Sequence, residues 1–159
     1  MTSPLRLFVL FFPLVLLPLP AAADNTAVFG RWLTESGNAH VELYRCADPA
    51  RGFVCGKVVW LRNAINPDDT PAASVEEVRD VKNPDPALRA RPILGLEFLH
   101  GFQPSADEPG TFTNGKIYNA EEGETYSARI RLEQRDRLVL RGFVLMPMLG
   151  KSQTWARVQ

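Results

Sequence analysis

Two cysteines and two histidines make up the thiol and imidazole inventory of this 159-residue chain. Cys46 and Cys55 flank the stretch ADPARGFV, where Asp48-Pro49 and Gly52 supply turn chemistry. For a chain carrying an export signal, an even pair of cysteines reads as a structural disulfide. A redox-active pair would instead ask for Cys-x-x-Cys spacing. Closing so short a loop should stabilise the fold by about 2–3 kcal/mol. His40 and His100 stand on separate predicted strands, with no acid or cysteine at ligand spacing. Zinc takes three or four N, S or O ligands, so no metal site is expected.

The remaining reactive residue types form no constellation either. Leu149 to Ser152 reads LGKS, like the end of a phosphate-binding loop, but the required earlier glycine is Leu145 and a strand follows instead of a helix. No Gly-x-Ser-x-Gly elbow occurs, and Ser36, Ser74, Ser105, Ser127 and Ser152 have no base beside them in sequence. Glu76-Glu77, Asp68-Asp69 and Glu121-Glu122 lie in predicted loops, where solvated carboxylates are the default. Glu97 sits between Leu96 and Phe98, and alternation points it outward. The expectation is a protein that is not an enzyme and has no cofactor.

The elements that would position any site begin after residue 23. Arg6, the apolar run Leu7 to Leu17 and Ala21-Ala22-Ala23 have the layout of a signal peptide over residues 1–23. Pro13, Pro18 and Pro20, with the shortness of the run, argue against a membrane-spanning helix. The mature domain is then 24–159, periplasmic or secreted, with 17 basic residues facing 18 acidic ones. So even a balance gives no reason to expect nucleic acid as a partner.

Strand signals dominate that domain. VFGRWLT, HVELYRC, FVCGKVVWL, ILGLEFLH, TFTNGKIY, ETYSARIRL, RLVLRGFVL and SQTWARV are short and bounded by turn residues. Setting Cys46 opposite Cys55 places Leu43 against Val58 and Val41 against Trp60 on an apolar face. A three-residue turn at Gln134-Arg135-Asp136 sets Leu132 against Leu138, Ile130 against Leu140, Ala128 against Gly142 and Tyr126 against Val144. The other face of this hairpin carries Arg129, Arg131 and Arg141, with Arg129 directly across from Arg141, which costs some stability. Arg62 to Pro92 is a long proline-rich connection with at most a helical turn near Asp85 to Arg91, placed to fold over one mouth of a barrel.

Eight antiparallel strands without helical cover have bare edges unless the first pairs with the last. Gly30-x-Trp32 resembles the Gly-x-Trp signature of the lipocalin and fatty-acid-binding barrels. In those families a basic residue of the last strand packs across the tryptophan, and Arg157, two residues after Trp155, holds that position here. Over almost the whole mature chain the sequence resembles the secreted bacterial family of domain of unknown function 2147. The segments that carry this are GRW at 30, CGKVVWL at 55, DVKNPDP at 80, RPILGLEFLHGF at 91, NGKIYNAEEGETYSARI at 114, LRGFV at 140 and LGKSQTWARV at 149. The resemblance implies an all-β, eight-stranded antiparallel up-and-down barrel, lipocalin-like, with the long loop between strands three and four. It implies no activity.

Alternation nominates Trp32, Val41, Leu43, Val58, Trp60, Leu94, Leu96, Phe98, Tyr126, Ile130, Leu140 and Trp155 as inward-facing, with Gln153 and Arg157 as polar exceptions. The expected function is binding of a small apolar or amphipathic ligand, with Trp32, Trp60, Phe98, Tyr126, Gln153, Trp155 and Arg157 as candidate lining. The alternative is an envelope structural or interaction protein docking an anionic partner through Arg129, Arg131 and Arg141, with Arg135 and Arg137 at the turn.

Overall fold

A computed structural model describes residues 24–159; the signal peptide assigned to residues 1–23 lies outside the described residues. The described residues form eight strands: β1 (Gly30–Leu33), β2 (Ala39–Arg45), β3 (Val54–Leu61), β4 (Glu97–Pro104), β5 (Thr111–Asn119), β6 (Glu124–Gln134), β7 (Arg137–Phe143) and β8 (Lys151–Arg157). Each is antiparallel to its neighbours in chain order, and β1 pairs with β8, so the sheet closes into an up-and-down barrel. Among the described residues the helical elements are 3-10 turns of three or four residues, Pro86–Leu88 among them, capped by the Asp85 side chain. Among the described residues, no helix is long and apolar enough to cross a membrane.

The two ends of the barrel differ. At the closed end, where β1 begins and β8 finishes, the Arg157 guanidinium lies 4.2 Å from the centre of the Trp32 ring. It also donates to the carbonyls of Phe29, Ala27 and Arg135 at 2.8, 2.5 and 2.5 Å. The Trp32 Nε1–H donates to the Val28 carbonyl at 3.0 Å, so both polar groups of the plug are satisfied. Gly30 is required beside them. Its φ of 125° disfavours any side chain, and a Cβ there would stand 2.7 Å from the Arg157 guanidinium. Trp155, Phe102, Phe112, Ile130 and Leu138 fill the barrel against this plug, each, like Trp32, almost completely buried.

Cys46 and Cys55 are joined by a disulfide across 5.0 Å between Cα atoms, a bond consistent with an exported protein. The cysteines are not directly opposed, which corrects the predicted register. Cys55 faces Tyr44, so Val41 faces Val58 and Leu43 faces Gly56. A bulge between His40 and Val41 then puts Trp60 opposite His40 on the outer face. The β6–β7 hairpin has the predicted pairs Leu132–Leu138, Ile130–Leu140 and Ala128–Gly142, as well as Arg129–Arg141. The turn itself is tighter, with Gln134 facing Arg137. Strand β7 ends at Phe143, so Val144 does not face Tyr126.

The long connection runs from residue 62 to 96. Gly95, at φ 86°, turns the chain before β4, so Leu94 and Leu96 precede the strand. The fully buried positions of β4 are Leu99 and Phe102, because the β3–β4 register shifts twice. The connection carries its own small core, Val78 and Ile93 packed on Val58, and an isolated bridge between Arg79 and Pro92.

Candidate functional site

The seven candidate lining residues fall into three places. Trp32 and Arg157 form the closed-end plug and hold structure. Trp60 stands outside the barrel, its ring 4.4 Å from that of His40. Phe98, Gln153 and Trp155 come together inside, toward the open end, and Tyr126 faces Ile117 on the same side of β6 as the buried Ala128 and Ile130.

Register and packing build that inner group. Trp155 faces Leu138 and Gln153 faces Leu140, so both point inward from β8. The Trp155 Nε1–H donates to Gln153 Oε1 at 3.1 Å, and the Phe98 ring stands 6.4 Å from the Trp155 ring. Tyr126 faces Ile117 across β5–β6. Gly142, two residues from Leu140 on β7, has space beside it: a Cβ would meet only Tyr126 and Ile117, at 3.8 and 4.0 Å. Strand β1 stops at Leu33 and pairs with only Arg157 and Ala156, so β8 from Lys151 to Thr154 has no β1 strand alongside. Gln153 is consequently exposed although it faces inward, while Trp155 below it is buried. Gln153 thus meets solvent directly above the buried Trp155. The Tyr126 hydroxyl donates to Glu122 at 2.5 Å, and that bond raises its pKa.

Beyond the barrel wall, segment 80–91 docks on β5 through a buried carboxylate. Asp80 is fully buried and accepts from the Tyr118 hydroxyl at 2.7 Å, from Asn83 Nδ2 at 2.8 Å and from Arg91 Nε at 2.8 Å. Arg91 completes an ion pair with it and lies over the Tyr118 ring. Burial, then the bond to Asp80, pushes the Tyr118 pKa up to about 12. Beside this network is an outer cleft of about 380 Å³, reaching Arg51, Leu88, Glu97, Phe98, His100 and Thr125. Its charges are largely paired: Arg51 bridges Glu97, which also accepts from the Tyr44 hydroxyl. Burial and then Arg51 lower the His100 pKa, so its imidazole is neutral at pH 7. Glu97 points outward, as alternation indicates. Sequence reasoning missed Asp80, Asn83, Arg91 and Tyr118 as a unit, although DVKNPDP contains two of them.

Three of the five outer arginines, Arg129, Arg137 and Arg141, are paired within the chain. Arg129 bridges Glu108 at 2.6 Å, and Arg137 bridges Glu133 at 3.2 Å. Arg141 donates to the Met148 carbonyl at 3.0 Å, to the Pro147 carbonyl and to Ser152 at 2.8 Å. The two facing arginines are thereby drawn apart, to Glu108 and to the β7–β8 loop, which accounts for their tolerance across a ladder. Among the described residues, no three His, Cys, Asp or Glu side chains group as a metal site.

Residues 30–157 match a family described as an uncharacterized protein conserved in bacteria, DUF2147. No curated protein matches the sequence significantly. Among solved structures, protein HP1028 from the human pathogen Helicobacter pylori, described as belonging to the lipocalin family, aligns with a TM-score of 0.64. That alignment covers 83% of each chain at 22% identity, and it shows the fold to be lipocalin-like. The chain belongs to the DUF2147 family.

Proposed function

We propose that this DUF2147 member is an exported protein, periplasmic or secreted, that binds a small apolar or amphipathic molecule just inside the open end of its barrel. Its role is binding, not catalysis. The observation that carries the reading is Gln153: an inward-facing side chain open to solvent, directly above the buried Trp155 that it holds by a hydrogen bond. Phe98 packs on Trp155, and Tyr126 and Ile117 flank the bare Gly142 on the neighbouring strands, which supports an apolar lining with few polar groups. Such a composition suits ligands that bury hydrocarbon and keep one polar end near the mouth. Side chains fill the barrel below Trp155, so the ligand is small and sits high.

The test is native mass spectrometry on protein purified from its own envelope, before and after solvent extraction, with Gly142→Leu alongside. The added side chain has room to enter the proposed space. Wild type should carry an extractable mass that the variant lacks, while the two unfold alike. A mass retained by Gly142→Leu would move the ligand elsewhere. If wild type carried no mass and bound no apolar fluorescent probe after extraction, the reading would be abandoned.

A further inference from the structure

We infer that the outer wall of β6 and β7 holds a second binding site, which takes a phosphoryl group between Arg131 and Arg141. It is independent of the ligand reading above, because it lies on the other face of these strands. In the β6–β7 ladder Arg131 faces Val139, and Arg129 faces Arg141. The intervening pair, Ile130 and Leu140, is buried in the barrel, so alternation turns the arginines and Val139 outward. With Glu108 and Glu133 they surround a hollow of about 300 Å³.

The acids at this hollow are all matched. Glu108 is bridged by Arg129 at 2.6 Å, and Glu133 by Arg137 at 3.2 Å. Arg141 donates only to neutral groups, the Met148 and Pro147 carbonyls and the Ser152 hydroxyl, so its charge has no acid against it. Arg131 joins no ion pair and makes no side-chain hydrogen bond among the described residues. Glu35, on the far side of Val139, is held at the Thr154 N–H and does not line the hollow. Two uncompensated cations therefore flank Val139 in diagonal register, within reach of each other for side chains this long. An anion between them replaces their repulsion with attraction.

The chemistry of the donors selects a phosphoryl group. Each guanidinium is a planar fork of N–H donors matched to oxyanion oxygens. A carboxylate has two oxygens, which one fork occupies. A tetrahedral phosphoryl group presents three, enough to engage two guanidiniums from different sides. The hollow exceeds a bare phosphate ion in size, so the phosphoryl group carries a small attached body, with Val139 as the apolar surface beside it. A free phosphate ester and a lipid headgroup share that chemistry.

The test is titration of inorganic phosphate into disulfide-bonded protein, read from the arginine Nε–H resonances, with chloride at matched ionic strength as the control. The Arg131 and Arg141 resonances should shift saturably. Those of Arg45, over the Phe53 ring, and Arg62, bonded to the Gly37 carbonyl, should stay in place. Arg131→Gln, at an exposed position, should weaken phosphate about tenfold and leave the unfolding transition unchanged. Flotation with phosphatidic acid vesicles, reversed by inorganic phosphate and absent with phosphatidylcholine, would make a lipid headgroup the source. Saturable binding of glycerol 3-phosphate without flotation would make it a free ester. No shift at Arg131, shifts that chloride reproduces, or an affinity untouched by Arg131→Gln would overturn the proposal.

Discussion

At its closed end the barrel buries Trp32, Phe102 and Phe112 and caps them with a part-buried guanidinium that donates to three main-chain carbonyls. At its open end the same strands leave an inward glutamine in water, expose five apolar side chains on one loop and rest on a separate, smaller cluster around Val78 and Ile93. The contrast teaches that stability and interaction are divided along the barrel axis. Packing is tight where the strands begin and end, and among the described residues the Thr111 hydroxyl is the buried side-chain group left without a partner there. Packing is relaxed where loops are long, which is where binding surfaces belong in a rigid barrel.

That division can be tested from either end. The largest effect is expected at the plug: Trp32→Ala removes a fully buried indole, its bond to Val28 and the face on which Arg157 rests. It should cost about 3–5 kcal/mol in urea unfolding. A cost under about 1 kcal/mol would mean that the closed end does not anchor the fold. Next comes Asp80→Ala, which strips three donors of their shared acceptor and should cost about 2–3 kcal/mol. Hydrogen exchange should then show protection lost over residues 78–93 while β6 and β7 keep theirs. Uniform loss would merge the two ends into one cooperative unit.

The smallest effect is in alkaline stability. Tyr44, bonded to Glu97 near the disulfide, and Tyr118, bonded to Asp80 at the open end, both have pKa values pushed up to about 12, first by burial. A raised folded-state value means that the protonated phenol favours the fold. Its contribution is whole below the unfolded value near 10 and is lost as pH climbs toward 12. Tyr118→Phe should flatten the decline in protection of segment 78–93 between about pH 10 and pH 12, and Tyr44→Phe should leave it as in wild type. The opposite pattern would place the alkaline weak point at the closed end.

The parts of the molecule that sequence could reach are those where one local rule decides. Gly30-x-Trp32 and Arg157 declare the seam because only glycine fits under that guanidinium. The β6–β7 hairpin is legible because its apolar positions alternate without interruption. Trp60 was misplaced for the opposite reason. Val58, Val59, Trp60 and Leu61 are all apolar, so a bulge that turns one of them outward leaves no trace in the pattern. Ile93 to Leu96 hid the turn at Gly95 in the same way. The segment around Val144 read as the end of a strand, since nothing in an apolar run distinguishes a core strand from an exposed loop. The Asp80 network stayed hidden because its partners lie far apart along the chain, and only the folded connection brings Tyr118 to Asp80.

The brevity of β1 has one more consequence. A strand whose outer edge is bare is a template for any extended polypeptide, and β8 offers such an edge from Lys151 to Thr154. In this barrel the Thr154 N–H is taken by the Glu35 carboxylate at 2.5 Å. An incoming chain would have to displace that carboxylate or bury it unpaired, and either is costly. Glu35 thus acts as a gatekeeper: it lets the sheet remain unzipped beside Gln153 without making the gap an invitation to fibrillar stacking.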